Sequence, residues 1–213
     1  MRIINFIITG AITAVLIIIL NSTILLPAPL GKWLSPQNGL WQNEESVNHN
    51  YSDDLSFPQL KGKVDVYFDE RLVPHVFAEQ ENDAFFVQGY LHAKFRLWQM
   101  EFQTHAAAGR VSEIVGKKAI DFDRDKRRLG MVYAAENSLK EVAKDPETLA
   151  ECDNYTAGVN AYIESLNDAT LPLEYRLLNY YPEKWTNLKT ALFLKYMSLD
   201  LAGSGELEAL FGA

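Results

Sequence analysis

Gly89-Tyr90-Leu91-His92-Ala93-Lys94-Phe95-Arg96-Leu97-Trp98-Gln99-Met100-Glu101 is the stretch on which the fold turns. Before it, apolar residues alternate with polar ones. Within it they recur every three or four residues, through Leu91, Phe95, Trp98 and Phe102, the period of a helix face. Asn82 or Asp83 offers an N-cap, and Gly109 offers a left-handed stop. A long helix is therefore expected from about residue 82 to residue 108.

Upstream, Val64-Asp65-Val66-Tyr67-Phe68 and Val73-Pro74-His75-Val76-Phe77-Ala78 read as two strands joined by a turn at Asp69-Glu70-Arg71. Pro74 fits only at a strand start or an edge. Downstream the helical period persists. A short helix runs Val111 to Val115 and stops at Gly116, and a charged amphipathic helix runs Asp121 to about Val142. Asp145 caps another, with Pro146 at its first position, and its inner face carries Leu149, Cys152, Thr156, Val159, Ile163 and Leu166. Leu171 to Tyr181 is short helix or turn. A last helix, capped by Thr186, runs through Leu188, Ala191, Leu192, Lys195 and Leu199 until Gly203 and Gly205. The expectation is α+β: a mostly helical region with one β-hairpin.

At the N-terminus, Ile3 to Leu26 carries no charge and Pro27 and Pro29 follow. About 20 helical residues cross a hydrocarbon core. Residues 1–26 therefore read as a transmembrane signal-anchor or a signal peptide, with Arg2 on the cytoplasmic side. The long apolar core and the absence of a small-x-small site favour the anchor. Residues 27–60 read as a juxtamembrane linker without regular structure, most polar from Asn43 to Asp54. Its tryptophans suit either a bilayer interface or packing against the body, which is residues 61–213.

All 28 acidic residues, and all but one of the 20 basic ones, follow residue 30. An acidic body argues against nucleic acid as a partner. The single cysteine, Cys152, excludes an internal disulfide and reads as a buried structural thiol. His49, His75, His92 and His105 show no zinc spacing. Gly203-Ser204-Gly205 is not a nucleophile elbow. Arg127-Arg128 beside Asp121, Asp123 and Asp125 reads as a solvated charged face. The residues by themselves assemble no catalytic constellation.

Several stretches together resemble the N-terminal, α-chain portion of the penicillin acylase (penicillin amidase) family of N-terminal-nucleophile hydrolases. They are Val73–Ala78, Gly89–Glu101, Gly109-Arg110-Val111-Ser112-Glu113-Ile114-Val115-Gly116, Asp123–Arg128, Tyr155-Thr156-Ala157-Gly158-Val159-Asn160-Ala161 and Pro182-Glu183-Lys184-Trp185. The likeness covers about Gly62 to Ala213. It implies an αββα fold in the full-length protein and autoproteolytic maturation to a β-chain partner. It also implies hydrolysis of a linear amide, the acyl side chain of a β-lactam or of an acyl-homoserine lactone, by a serine at the β N-terminus. The α-amino group of that serine, with an ordinary pKa of about 7.7–8.0, would serve as base. No catalytic residue is assigned to this chain.

The resemblance places Met197 at a pocket methionine, with Asp200 and Leu201 where relatives have arginine and phenylalanine, a departure that speaks against phenylacetyl specificity. Glu206 falls near a glutamate that supplies one ligand of a structural Ca2+, with Glu208 as a substitute. It implies no organic cofactor. The membrane segment, together with Leu26-Pro27 and Gly39-Leu40-Trp41-Gln42-Asn43, resembles a membrane-anchored bacterial branch with its body in the periplasm. Two other readings stand beside this one, a non-catalytic, membrane-tethered helical binding domain and a relative that has lost its nucleophile.

Overall fold

The structure is a computed structural model that describes residues 2–22, 29–34, 52–168 and 170–202. The body is mostly helical with one two-stranded antiparallel sheet. β1 (Val64–Phe68) pairs with β2 (Pro74–Ala78) in the register Val64↔Ala78 to Phe68↔Pro74. Pro74 opens its strand, where no ladder N–H is lost. Between the strands, the Asp69 carboxylate accepts from the N–H groups of Arg71 and Val73. Val64, Val66, Phe68 and Val76 turn inward onto Phe86, Val87 and Leu91. Tyr67 and Phe77 face out and stack edge to face.

α3 (Glu81–Ala108) is the spine. At 1.5 Å per residue its 28 residues span about 42 Å. It starts one or two residues before the expected caps, because Asp83 has another task. Its carboxylate, buried in the helix's first turn, accepts from the backbone N–H groups of Lys61 (3.0 Å) and Gly62 (2.8 Å). Gly109 closes the helix at φ 65°, donating to Ala106 and so ending it as expected. Inside α3 the backbone leaves helical geometry at Arg96 (φ −145°, ψ 20°). No Pro or Gly stands at the bend.

α4 (Ser112–Val115) follows, then a 3-10 turn at Lys117–Ala119. The charged run forms two helices rather than one, α5 (Ile120–Arg128) and α6 (Met131–Val142). Gly130 divides them, taking a left-handed φ of 68° that a residue with a Cβ rarely adopts. Most of this run is solvated as expected, with Arg124 on Asp121 and Arg128 on Asp125. Asp123 departs from the expectation. It is 4% exposed and receives the N–H groups of Val111 (2.8 Å) and Ser112 (2.7 Å). Burial pulls its pKa up, but the Ser112 hydroxyl and these two N–H groups outweigh that and hold it low.

α7 (Pro146–Ser165) is capped by Asp145 as expected. It crosses α3 at a glycine pair. A Cβ at Gly158 would meet the Phe86 carbonyl, and a Cβ at Gly89 the Tyr155 carbonyl. The two backbones therefore touch only because both positions lack side chains. Cys152 is half-buried on α7, and burial raises its thiol pKa. α8 (Leu173–Leu178) and α9 (Asn187–Leu201) complete the body, the latter capped by Thr186. The main core joins Ala93, Leu97, Met100, Val159, Leu171, Tyr175 and Trp185.

At the N-terminus, α1 (Arg2–Leu20) has a mean hydropathy of 2.7 and is long and apolar enough to cross a membrane. The expected linker contains one helical turn, α2 (Leu30–Trp33), directly after Pro29. Most of its polar stretch, residues 43–51, lies outside the described residues.

Candidate functional site

A buried ionic cluster fixes α9 against α3. Glu101 stands on the apolar side of α3 and is 1% exposed. One carboxylate oxygen, Oε1, accepts from the Glu183 N–H (2.7 Å), Lys189 Nζ (3.2 Å) and the Tyr180 hydroxyl (3.3 Å). The other accepts from the Tyr175 hydroxyl at 2.6 Å. Lys189, in the first turn of α9, also pairs with Glu183 at 3.1 Å. Glu183 in turn holds Arg110 at 2.6 Å. The Arg110 hydrogen bonds bring the Glu183 pKa down to about 2, with Lys189 adding to the effect. Burial and the Glu101 charge raise the Tyr175 and Tyr180 phenols, so both remain neutral donors.

His105 packs beside this cluster, with Nδ1 3.0 Å from the Glu101 backbone carbonyl. Glu101, His105 and Glu183 bring ligand atoms within 4.8 Å of one another. They do not fit a metal ion, because the Lys189 ammonium already bridges both carboxylates. Calcium in particular wants six to eight oxygens. The cluster is a scaffold that sets where α9 lies.

The outer part of α9 carries the residues marked by the sequence. Leu194, Met197 and Leu201 fall within about 60° of one another at 100° per residue, with Asp200 on the flank. All four are exposed, Met197 at 43% and Leu201 at 78%. An apolar stripe on a firmly anchored helix thus lies open. Glu206 and Glu208 lie outside the described residues.

Further toward the N-terminus of α9, on the same side, Thr190 and Phe193 border a cavity of about 270 Å³. Its other walls come from His92, Arg96, Gln99, Met100 and Gln103 of α3, from Tyr155 of α7 and from Trp185. The Arg96 kink lies on this wall. His92 Nδ1 is 3.1 Å from the Tyr155 hydroxyl. Burial, then Arg96, lowers the His92 pKa, and burial raises the Tyr155 phenol to about 12, so both groups are neutral near pH 7.

Sequence reasoning singled out Met197, Asp200 and Leu201 by resemblance but named neither Leu194 nor the cluster. One signal was present, since Glu101 shares a helix face with Leu97, Trp98 and His105, and a charge on an apolar face calls for a buried partner. The partners themselves were not readable, being 74 to 88 residues away.

Comparison with known proteins agrees with this architecture. Over 153 residues the chain is 36% identical to penicillin acylase 2 proenzyme of Pseudomonas sp. (strain SE83), covering 72% of this chain and 19% of the relative. It is 29% identical over 137 residues to penicillin G acylase of Escherichia coli, covering 63% of this chain and 16% of the relative. It is 35% identical over 121 residues to the acyl-homoserine lactone acylase QuiP of Pseudomonas aeruginosa, covering 57% and 14%. The chain therefore spans about a fifth or less of the length of these relatives. Among solved structures, the thermostable penicillin G acylase of Alcaligenes faecalis shares the fold, with a TM-score of 0.60 and 24% identity, covering 70% of this chain and 80% of that one. The family model for penicillin amidase matches residues 63–211, most of the body described above, and this chain belongs to that family.

Proposed function

We propose that this chain is the N-terminal part of an exported amidohydrolase that cleaves a linear amide, the acyl side chain of a β-lactam or of an acyl-homoserine lactone. The nucleophile in this reading is a serine at the N-terminus of a β-chain cut from the same precursor, outside the 213 residues. Its hydroxyl attacks the amide carbonyl while its free α-amino group takes the proton. The amine leaves, and water then releases the acid from the acyl-enzyme. Donors on the β-chain hold the oxyanion, each worth about 2.7–4 kcal/mol in transition-state stabilisation.

This chain's own contribution is a wall of the acyl pocket. The observation that carries the reading is the open stripe of Leu194, Met197 and Leu201 on a helix clamped by buried charges, in a chain that matches the family. An acyl group would lie on Met197 and Leu201. Asp200 on the flank repels a substrate carboxylate, which favours neutral acyl groups. Glu206 is proposed as one ligand of a structural calcium. Residues 61–213 form the α-chain region, residues 27–60 a linker, and α1 the signal or the inner-membrane anchor that leaves the body in the periplasm.

The test uses the complete gene product. N-terminal sequencing of the matured protein should reveal a second chain opening with serine. Release of free acid from benzylpenicillin and from acyl-homoserine lactones of different chain length should rank the substrates. Met197→Ala should raise KM for the preferred acyl group several-fold with a smaller change in kcat. An unprocessed product that releases no acid from either class would refute the proposal and leave a tethered binding domain.

A further inference from the structure

The cavity between α3, α7 and α9 has a chemistry of its own. Its apolar surface comes from Met100, Trp185, Phe193 and the Tyr155 ring. The polar atom of Trp185 is already used, its indole N–H donating to Thr190 Oγ1 at 2.9 Å. His92 and Tyr155 satisfy each other. What remains is one cation. Arg96 donates to Gln99 Oε1 at 3.2 Å, and among the described residues no carboxylate pairs with it. No Asp or Glu lines the cavity.

Two further features belong to the same wall. Arg96 is the residue at which α3 leaves helical geometry. Gln103 also lines the cavity, and its buried Oε1 has no hydrogen-bond partner among the described residues. The Gln103 oxygen is an acceptor and calls for a donor, which a carboxylate does not supply, so the Arg96 guanidinium alone selects an anion beside the apolar lining.

We propose that this cavity binds a small carboxylic acid with a compact apolar body, its carboxylate on the Arg96 guanidinium and its hydrocarbon part against Met100, Trp185 and Phe193. The planar guanidinium presents paired N–H donors that match a carboxylate's two oxygens. A cavity of about 270 Å³ suits a single ring or a short branched chain. A phosphate would leave its second charge unmet, and a cation would be repelled. The site adjoins the stripe proposed for the acyl group, since Phe193 and Met197 are one turn apart on α9, and what distinguishes it is Arg96 on α3. It stands on this cavity alone, whatever the full-length protein hydrolyses.

The test is direct binding to the full chain in detergent micelles, with benzoate as probe and benzamide as its neutral isostere. Titration calorimetry should show benzoate at least tenfold tighter than benzamide, with an affinity that weakens as salt rises because Arg96 is exposed. Arg96→Gln should remove that preference at unchanged circular dichroism, and Arg96→Lys should bind with intermediate affinity. The Trp185 indole N–H resonance should shift with benzoate occupancy. Equal binding of benzoate and benzamide by the unsubstituted chain overturns the proposal whatever the variants do. Unchanged affinity in Arg96→Gln, or saturation without any Trp185 shift, overturns it too.

Discussion

Replacing Glu101 by leucine tests whether the buried cluster holds α9 in place. The carboxylate receives four donors, Tyr175, Tyr180, the Glu183 N–H and Lys189. At 3.2 Å and an effective dielectric constant of about 20, its attraction for Lys189 is on the order of 5 kcal/mol before desolvation is subtracted. Leucine fills the space but takes the acceptor from the Tyr175 hydroxyl and the Glu183 N–H, and leaves the Lys189 ammonium with Glu183 alone. Removing one partner of a buried pair costs roughly 3–5 kcal/mol. For a body of this size that lowers Tm by roughly 10 °C. Lys189→Met should cost less, about 2–3 kcal/mol, because Glu101 keeps three other donors. The double variant should fall short of the sum by about 1–2 kcal/mol, the coupling expected of residues in contact. The assay is thermal and urea unfolding of the chain in detergent, followed by circular dichroism. A Glu101→Leu chain within about 1 kcal/mol of the parent, or strict additivity in the double variant, would refute the reasoning.

Gly158→Ala puts a methyl group into the Phe86 carbonyl at the α3–α7 crossing, so it should destabilise by at least about 1–3 kcal/mol, read from the urea midpoint; no change would mean the helices separate easily. The pH dependence has a definite sign. Glu183 falls from an ordinary pKa of 4.5 to about 2 in the folded chain, so its stabilising contribution is complete above pH 4.5 and is lost as the pH falls from there toward 2. Because its side chain is 35% exposed, solvent screening keeps that contribution well below the full linkage value. Glu183→Gln should flatten the acid limb of a stability–pH curve between those two values; an unchanged limb would assign acid sensitivity to other carboxylates.

Much of the fold was legible in local chemistry. The switch from alternation to a helical period at residue 80 separates hairpin from helices. Asp145-Pro146, Thr186 and Gly109 mark helix ends at the positions the structure shows, because caps act within three or four residues. Asp83 and Asp123 misled the reading for one reason. Each looks like an ordinary cap or surface acid, yet each is buried and serves a backbone segment 11 to 22 residues away. Gly130 ended a helix that periodicity alone continued.

The sequence determined the helical stripes, the hairpin, the apolar N-terminal helix and the family likeness, since each is written within one or two turns of chain or in a short motif. Tertiary structure alone decided that Glu101, Lys189, Glu183 and Tyr175 meet, that α3 bends at Arg96, and that a cavity opens beside the bend. Those outcomes depend on which helix faces come into register across gaps of many tens of residues. Electrostatic pairing and close packing act through space, and the order of residues along the chain does not encode that distance.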